Sequence, residues 1–580
     1  MVALWNYVAM HIDIVPNRGS RPAVLLRESY REGKKVKKRT LANLSSLPME
    51  KVELIRRVLN GVALAPVEML FDVTASVLHG HVQSVLTAMK RLGLATLISS
   101  RPCRERDLVL GMVASRILEP QSKLATTRWW HTTTLPEELG IADTTEDDLY
   151  AAMDWLLDRQ PHIEKKLAAR HLEQGGLVLY DLSSSYFEGT TCPLAALGYN
   201  RDGKRGKLQV NYGLVTDRRG CPVAVSVHSG NTNDPKTLLP QVKTIRESFG
   251  IQDLVLVGDR GMIGQKQVDE FMKVEGIAWI TALKTGAIRQ LLEGGHLQMG
   301  LFDERNLFEL AHPDFPAERL VACRNPDLAR LRAAKRRSLL EATAKELEKV
   351  RALVARGRSK KLKTKGEIGV RVGKVVDKYK VAKHFQLEID EGRFAFRVDE
   401  EKVAAEAALD GIYVIRTSLS KDRLSAEDTV RSYKLLSSVE RAFRSIKTLD
   451  LKVRPIHHHL ADRVRAHIFL AMLAYYVQWH LLEAWRELLF SDEDVEAKQT
   501  RDPVAPAHRS DKAMRKVLAR VLDDGTQAHS FQTLLAELTT IVRNTCRRKG
   551  GTKDEPTFSV TTTPNAKQQR ALDRASAIRV

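Results

Sequence analysis

The chain has 580 residues, with 92 Lys+Arg against 71 Asp+Glu, a formal charge of +21, and 43% hydrophobic and 28% charged residues. This length builds several domains with real cores, and the balance of apolar and charged residues excludes wholesale disorder, a collagen repeat and a disulfide scaffold. The positive excess points to a polyanion, either nucleic acid or an anionic membrane surface.

A membrane is the weaker of the two partners. The longest apolar run, Ile468 to Val477, is ten residues long, whereas a bilayer span needs about 20. The start, Met1 to Tyr7, has no basic stretch before His11 and Asp13, so no export signal is expected. Cys103, Cys192, Cys221, Cys323 and Cys546 are scattered without a CxxC pair. That pattern supports neither a disulfide framework nor a zinc ribbon and suits a reducing cytoplasm.

In chain order, Tyr7 to Leu44 alternates as a β-meander with turns at Pro16–Gly19 and Arg31–Lys34. Between Arg18 and Arg39 nine Lys/Arg face only Glu28 and Glu32, which fits either lysine-protected edge strands or a DNA-backbone contact. Residues 48 to 173 carry helical spacing at Met49–Asn60, Val82–Ile98, Asp107–Leu118 and Glu146–Leu157, the last opened by Asp143-Thr-Thr-Glu146, with Trp129 and Trp130 expected in a core. At Gly175 the period changes. Leu177–Leu182, Leu208–Thr216 and Pro222–His228 read as strands, then a helix with Asp234 as its cap, strand Asp253–Gly258, helix Gln265–Val274 and strand Ile277–Leu283. A meander followed by alternating helix and strand predicts an α/β fold with a mixed sheet of the ribonuclease-H-like kind. Its alternation is interrupted by a β-rich and helical insertion, with a long charged helix over Asp327–Arg358 and short strands over Gly366–Val398. From Asp327 to Lys383 there are 19 Lys/Arg against 6 Asp/Glu. The sheet resumes at Gly411–Arg416, followed by helices over Ala426–Lys447 and Ile468–Leu489, two further helices over Asp511–Leu522 and Ser530–Val542, and a basic tail. The expected domains are therefore 1–75 (basic meander and helix, DNA binding), 76–173 (helical), 174–285 and 411–490 (two parts of the catalytic sheet), 286–410 (insertion) and 491–580 (C-terminal helices and tail).

Three acids stand where chemistry can be done. Phosphodiester cleavage by two divalent ions needs a few converging carboxylates. Asp181 lies within the first strand of the sheet, Asp259 directly follows an apolar strand, and Glu440 lies in the helix after the insertion. A lone carboxylate in a buried strand must be paired or metal-bound, although an Asp at a strand end is often a turn residue. Tyr433, Leu436, Glu440, Arg444 and Lys447 recur at three or four residues, one helical face on which an acid holds a metal and cations take phosphate oxygens. Ordinary Glu–Arg pairing gives the same pattern. The loop Tyr199 to Lys207, with Arg201, Lys204 and Lys207, fits either a solvated surface loop or one that tracks a DNA backbone near the site. His457, His458, His459 and His467 are assigned to structural or phosphate contacts, and Glu188 and Asp234 to turns and caps.

Around Glu440 the chain resembles the DDE transposases of bacterial insertion sequences, of the insertion-sequence-four superfamily. Its signature is a tyrosine, two residues, arginine, three residues, glutamate, six residues, lysine. Tyr433, Glu440 and Lys447 match in register, while Leu436 stands in the place of the arginine, for which Arg444 is the candidate substitute. Segments Leu177–Gly189, Gly198–Asp217, His228–Asp234, Val257–Gly261 and Ile412–His467 look like the subgroup with a long β-rich insertion. The resemblance implies that Asp181, Asp259 and Glu440 are catalytic metal ligands for two Mg²⁺ ions, with Mn²⁺ substituting. It further implies that Tyr433 and Lys447 contact phosphates; Arg444, as the substitute, and the neighbouring Arg441 are expected to do the same. The implied reaction is cut-and-paste transposition: water frees a 3′-OH at the element end, the second strand is cut through a hairpin, and the 3′-OH attacks target DNA. The implied partners are double-stranded DNA, both terminal inverted repeats and target, with a homodimer holding two ends and no membrane, in the nucleoid-associated bacterial cytoplasm. A catalytically inactive or recruited DNA-binding descendant, or another two-metal nuclease on the same sheet, is the alternative.

Overall fold

The computed structural model describes residues 9–62, 70–298, 300, 302–356, 362–494, 500–549, 552 and 554–580. The start of the meander at Tyr7 and the expected end of the long helix at residues 357–358 lie outside the described residues. The chain divides into two compact units, one formed by Met1–Ser76 and Arg543–Thr561, the other by Val77–Val542 and Thr562–Val580.

In the first unit β1 (Ala9–Asn17), β2 (Ser20–Glu32) and β3 (Lys35–Asn43) form an antiparallel sheet in that order. Gly19 and Gly33 take positive φ in the two hairpin turns, where a side chain would be strained. A helix, Met49–Leu59, follows. Asp13 binds Arg27 at 3.1 Å and Lys38 at 3.0 Å, Glu28 binds Arg39 at 2.6 Å, and Glu32 pairs with Lys37. Arg18, Arg21, Arg31, Lys34 and Lys35 are exposed and have no ion pair among the described residues. Beyond residue 541, where the sequence pattern suggests a basic tail, the chain instead forms strands Val542–Arg548 and Phe558–Thr561, which join β4 (Phe71–Leu78) in a second sheet, and then a helix over Ala566–Ser576. Strand pairing between chain ends leaves no local periodicity to read.

The second unit opens with helices. The helix expected over Val82–Ile98 is two, Gly80–Arg91 and Leu94–Ile98, because Gly93 sits between them at φ +60°. Arg104–Leu118, Lys123–Trp130, Leu135–Leu139, Glu146–Leu157 and Gln160–His171 follow. The cap of the fourth of these is Thr145, reciprocated by Asp148, two residues beyond the expected Asp143. Trp130 is buried and donates to Ser115 Oγ at 2.6 Å.

Eight strands then build one mixed sheet: β5 (Gly176–Tyr186), β6 (Gln209–Thr216), β7 (Pro222–Ser229), β8 (Leu254–Val257), β9 (Ile277–Ala282), β10 (Leu307–Leu310), β11 (Arg319–Arg324) and, after an excursion, β14 (Ile412–Thr417), in the order β10-β11-β14-β9-β8-β5-β6-β7. The β5–β6 and β6–β7 pairs are antiparallel, and β5–β8 and β8–β9 are parallel. Every residue of β6 and β8 is buried, so the sheet is covered on both faces at its centre. The 286–410 insertion is thus smaller than the sequence pattern implies, because β10 and β11 extend the main sheet beyond β14. The excursion proper begins at the helix Pro326–Ala355. Of Gly366–Val398, expected as short strands, the first part belongs to a helix, Lys365–Tyr379, started by a Thr364–Glu367 capping box; the hairpin is confined to β12 (Phe385–Asp390) and β13 (Arg393–Val398). This excursion has its own core around Leu347, Ile368, Phe385 and Phe394.

Behind the sheet, Ala461–Ala484 is a helix buried on nearly all sides. Among the described residues no helix is long and apolar enough to cross a membrane. Helices Asp511–Ala519 and Phe531–Leu538 follow. A buried acid ties the helical part to the sheet: Glu164 Oε1 accepts from the Val225 N–H at 3.0 Å and from Gln160 at 2.8 Å. Burial pushes its pKa up to about 7, so ionisation costs stability: the cost is absent below the ordinary carboxylate range, grows as pH rises above it, and is complete once pH passes about 7. Glu164→Gln keeps an acceptor for Val225 and is expected to add about 1–3 kcal/mol at pH 8.5 and much less at pH 5. Equal gains at both pH values in denaturant titrations would disprove this.

Candidate active site

The parallel register of β5 and β8 pairs Gly176 with Leu254 and Leu179 with Val257. Carried two residues on, the same register sets Asp181 beside Asp259, although nothing local in the sequence relates them. Asp181 Oδ1 accepts the Leu182 N–H at 2.8 Å. Asp259 Oδ1 accepts the N–H groups of Gly261 at 2.9 Å and Met262 at 2.7 Å, a turn that fixes the carboxylate just past the strand end.

Glu440 reaches the same place from the helix Leu436–Arg444, which packs on the sheet through Val439, Ala442 and Phe443; the Phe443 ring meets Tyr212 of β6 edge-on at 5.7 Å. The expected continuous helix over Ala426–Lys447 is jointed. It runs as Ala426–Lys434 and Leu436–Arg444, then widens into a π turn at Ser445–Leu449. The stripe of five is accordingly split: Glu440 and Arg444 are exposed, while Leu436 and Lys447 are buried.

Asp181, Asp259, Glu440, Arg201, Arg444 and Lys447 line one cleft of 490 Å³ together with Asp234, Ser183 and Arg454. Burial and then the Asp259 charge push the Asp181 carboxyl up to about 7, with Glu440 adding to the rise and the Leu182 N–H and Arg201 opposing it. The Tyr433 phenol is pushed up to about 12, first by burial and then by Asp259, Glu440 and Asp181, against Arg260. Hard carboxylate oxygens crowded until one resists ionisation are a donor set that fits a divalent cation, which would relieve that repulsion.

Two acids missed by the sequence reading organise the cations. Asp202, its side chain 1% exposed, lies within the basic loop and binds Lys447 Nζ at 2.5 Å and the Arg454 guanidinium, while its second oxygen accepts the Tyr186 N–H at 3.0 Å. Ser183 Oγ accepts from Lys447 at 3.2 Å, and burial holds the Lys447 ammonium below its usual pKa. Asp234 is not the cap of its helix. Asn233 is, and Asp234 pairs with Arg201 at 2.5 Å. An acid inside a run of cations was the available signal for Asp202; Asp234 had none, since the Asn-Asp-Pro step reads as a cap. Four expected contacts do not line the cleft: Tyr433, Arg441, Lys204 and Lys207. Lys207 pairs with Glu188 at 2.9 Å, and Lys204 lies 5.9 Å over the Tyr186 ring. The His458 ring lies tilted, 4.9 Å from that of buried His467 beside Arg116, and His459 bonds Thr191 at 2.7 Å.

A family model described as the transposase DDE domain matches residues 180–477, and one described as the N-terminal domain of IS1634 family transposases matches residues 12–66. The chain belongs to the DDE transposases of bacterial insertion sequences, and it is an enzyme, a DNA transposase. This domain generally depends on a divalent metal, as the carboxylate set would require. No curated protein matches the chain. A cryo-EM structure of a piggyBac transposase synaptic complex with hairpin DNA is similar over 79% of this chain and 79% of that one, at 7% identity and a TM-score of 0.36.

Proposed function

We propose that the protein performs cut-and-paste transposition of an insertion sequence on a ribonuclease-H-like sheet, with Asp181, Asp259 and Glu440 as its catalytic carboxylates. The supporting observation is that three acids far apart in the chain line one cleft. Two Mg²⁺ ions, replaceable by Mn²⁺, would supply activation of the attacking oxygen and charge neutralisation at the leaving oxygen of each in-line transfer. Asp181 and Asp259 offer their oxygens from rigid, adjacent positions, and Asp259 keeps Oδ2 for an ion because Oδ1 is held by backbone N–H groups. Glu440 closes the site from its helix. Arg201 and Arg444 take phosphate oxygens in their forks, and Lys447 adds a point charge whose position Asp202 sets. Tyr433 serves as a neutral hydrogen-bond donor, since its pKa of about 12 keeps it protonated. Arg441, Lys204 and Lys207 follow the DNA backbone outside the cleft. Holding two element ends together calls for a homodimer assembled on DNA. The primary test is an end-labelled element terminus with purified protein and Mg²⁺. Wild type is expected to nick at the end, and a wild type no more active than Asp181→Asn would refute the reading.

The basic sheet of the first unit is the proposed binder of the terminal repeats. Among its exposed cations without ion pairs, Arg18, Arg21, Lys34 and Lys35 are suited to phosphates rather than to internal pairing. Replacing these four by Gln is expected to weaken end binding and to make the slope of log K against log[salt] shallower by up to about 3.6, at about 0.9 per lost phosphate contact. An unchanged slope in gel shifts would remove this sheet from the DNA interface.

A further inference from the structure

Outside the carboxylate cleft, three side chains with soft or borderline donors meet from distant parts of the chain. His171 ends the helix Gln160–His171, Cys221 precedes β7 at the β6–β7 turn, and His480 lies on the helix Ala461–Ala484. One ligand atom from each lies within 4.8 Å of the other two, and Cys221 Sγ is 3.8 Å from His480 Nε2. Tetrahedral zinc, with Zn–S of about 2.3 Å and Zn–N of about 2.0–2.1 Å, sets its sulfur and nitrogen ligands roughly 3.6 Å apart. The trio is therefore already near ligand spacing. All three side chains are buried; that of His171 is 2% exposed.

We propose that His171, Cys221 and His480 bind one zinc ion that clamps the helix end, the β6–β7 turn and the long helix together. Thiolate and imidazole select zinc over magnesium, whose hard preference leads it to the carboxylates. None of the three lines the Asp181 cleft. Burial holds both imidazoles neutral, His171 at about 4 and His480 at about 3, so their lone pairs are present at neutral pH. Burial also keeps the Cys221 thiol protonated without an ion, so zinc binding releases one proton from sulfur. The surroundings supply orienting contacts. Tyr476 OH is 3.1 Å from His171 Nε2, and Asp217 accepts the Cys221 N–H at 2.9 Å. Asp217 also places a carboxylate oxygen 4.0 Å from His171 Nδ1, where it offsets the ion's charge. Arg219, bound to Asp217 at 2.9 Å, approaches His171 Nδ1 at 3.3 Å and must shift if that nitrogen is the ligand; it is more than half exposed and can. His171 and His480 also border a cleft of 1020 Å³, from which water can take the fourth position.

The test uses the full chain, stripped with a chelator and reloaded with Zn²⁺ alone in excess Mg²⁺, which keeps the carboxylates occupied. One zinc per chain is expected to survive desalting, in wild type and in Asp181→Asn, and to be lost in Cys221→Ser and His480→Ala. Co²⁺ in place of zinc is expected to give sulfur-to-cobalt charge transfer in the near ultraviolet and tetrahedral visible bands. Absence of that charge transfer in folded wild type overturns the proposal even if the variants misfold. So does zinc that is retained by Cys221→Ser or lost in Asp181→Asn.

Discussion

Asp181→Asn is expected to lower end cleavage by at least about 10³-fold, about 4 kcal/mol of transition-state stabilisation, while leaving end binding and folding intact. The substitution keeps the size of the side chain and an acceptor for the Leu182 N–H, which Asp181 Oδ1 holds at 2.8 Å, but removes the charge that a cation needs. It also removes a member of a repulsive group: with Asp259 and Glu440 nearby, burial and like charge keep the Asp181 carboxyl at about 7. The apo protein is therefore expected to be slightly more stable as the variant above pH 7. The sign follows from the raised pKa. The wild-type penalty is absent below the ordinary carboxylate range and grows as pH rises through about 7. The same proton competes with metal. Below about pH 7 the Mg²⁺ concentration for half-maximal cleavage is expected to rise by up to about tenfold per pH unit, and in Asp181→Asn this dependence disappears. Single-turnover cleavage across pH 5.5–8.5 decides it; a flat metal requirement in wild type would show that Asp181 does not hold the ion.

Asp202→Ala is expected to destabilise the protein by about 3–5 kcal/mol, the largest stability effect foreseen for a single substitution here. Its side chain neutralises Lys447 and Arg454, themselves 10% and 23% exposed, and removing it leaves two neighbouring cations with no counter-charge. The free ammonium would leave its place near Ser183 for water, so cleavage should fall further than stability alone explains. Lys447→Met on the Asp202→Ala background is expected to recover part of the stability and none of the cleavage. Denaturant midpoints test this, and a loss below about 1 kcal/mol for Asp202→Ala would mean that the cations are solvated rather than held.

The central α/β region was largely legible because its strands are short apolar runs bounded by turn residues, and β5 to β9 fall where the periodicity put them, within a few residues. The errors share a cause. Lys365–Tyr379 falls in the stretch expected as short strands; the helix cost of Gly366, Gly369 and Gly373, about 1 kcal/mol each, is outweighed there by the capping box and by burial of Ile368 and Val372. β10 and β11 were assigned to the insertion because a strand does not announce which sheet edge it joins. Asp234 was read as a cap because its local context suits one, whereas its partner Arg201 lies in another loop.

The sequence alone determined the kind of chemistry: a polyanionic partner from net charge, three acids in strand-end and helical settings, and a cation-bearing helix around Glu440. These follow from composition and from spacing along one element, where covalent geometry sets which side chains share a face. Only the tertiary structure decided which groups meet. The parallel register of β5 on β8 sets Asp181 beside Asp259, the fold of one loop gives Lys447 its counter-ion in Asp202, and three separate segments bring His171, Cys221 and His480 together. Such meetings depend on backbone hydrogen bonding and packing between elements remote in the chain, and periodicity records whether a residue is buried, not what it is buried against.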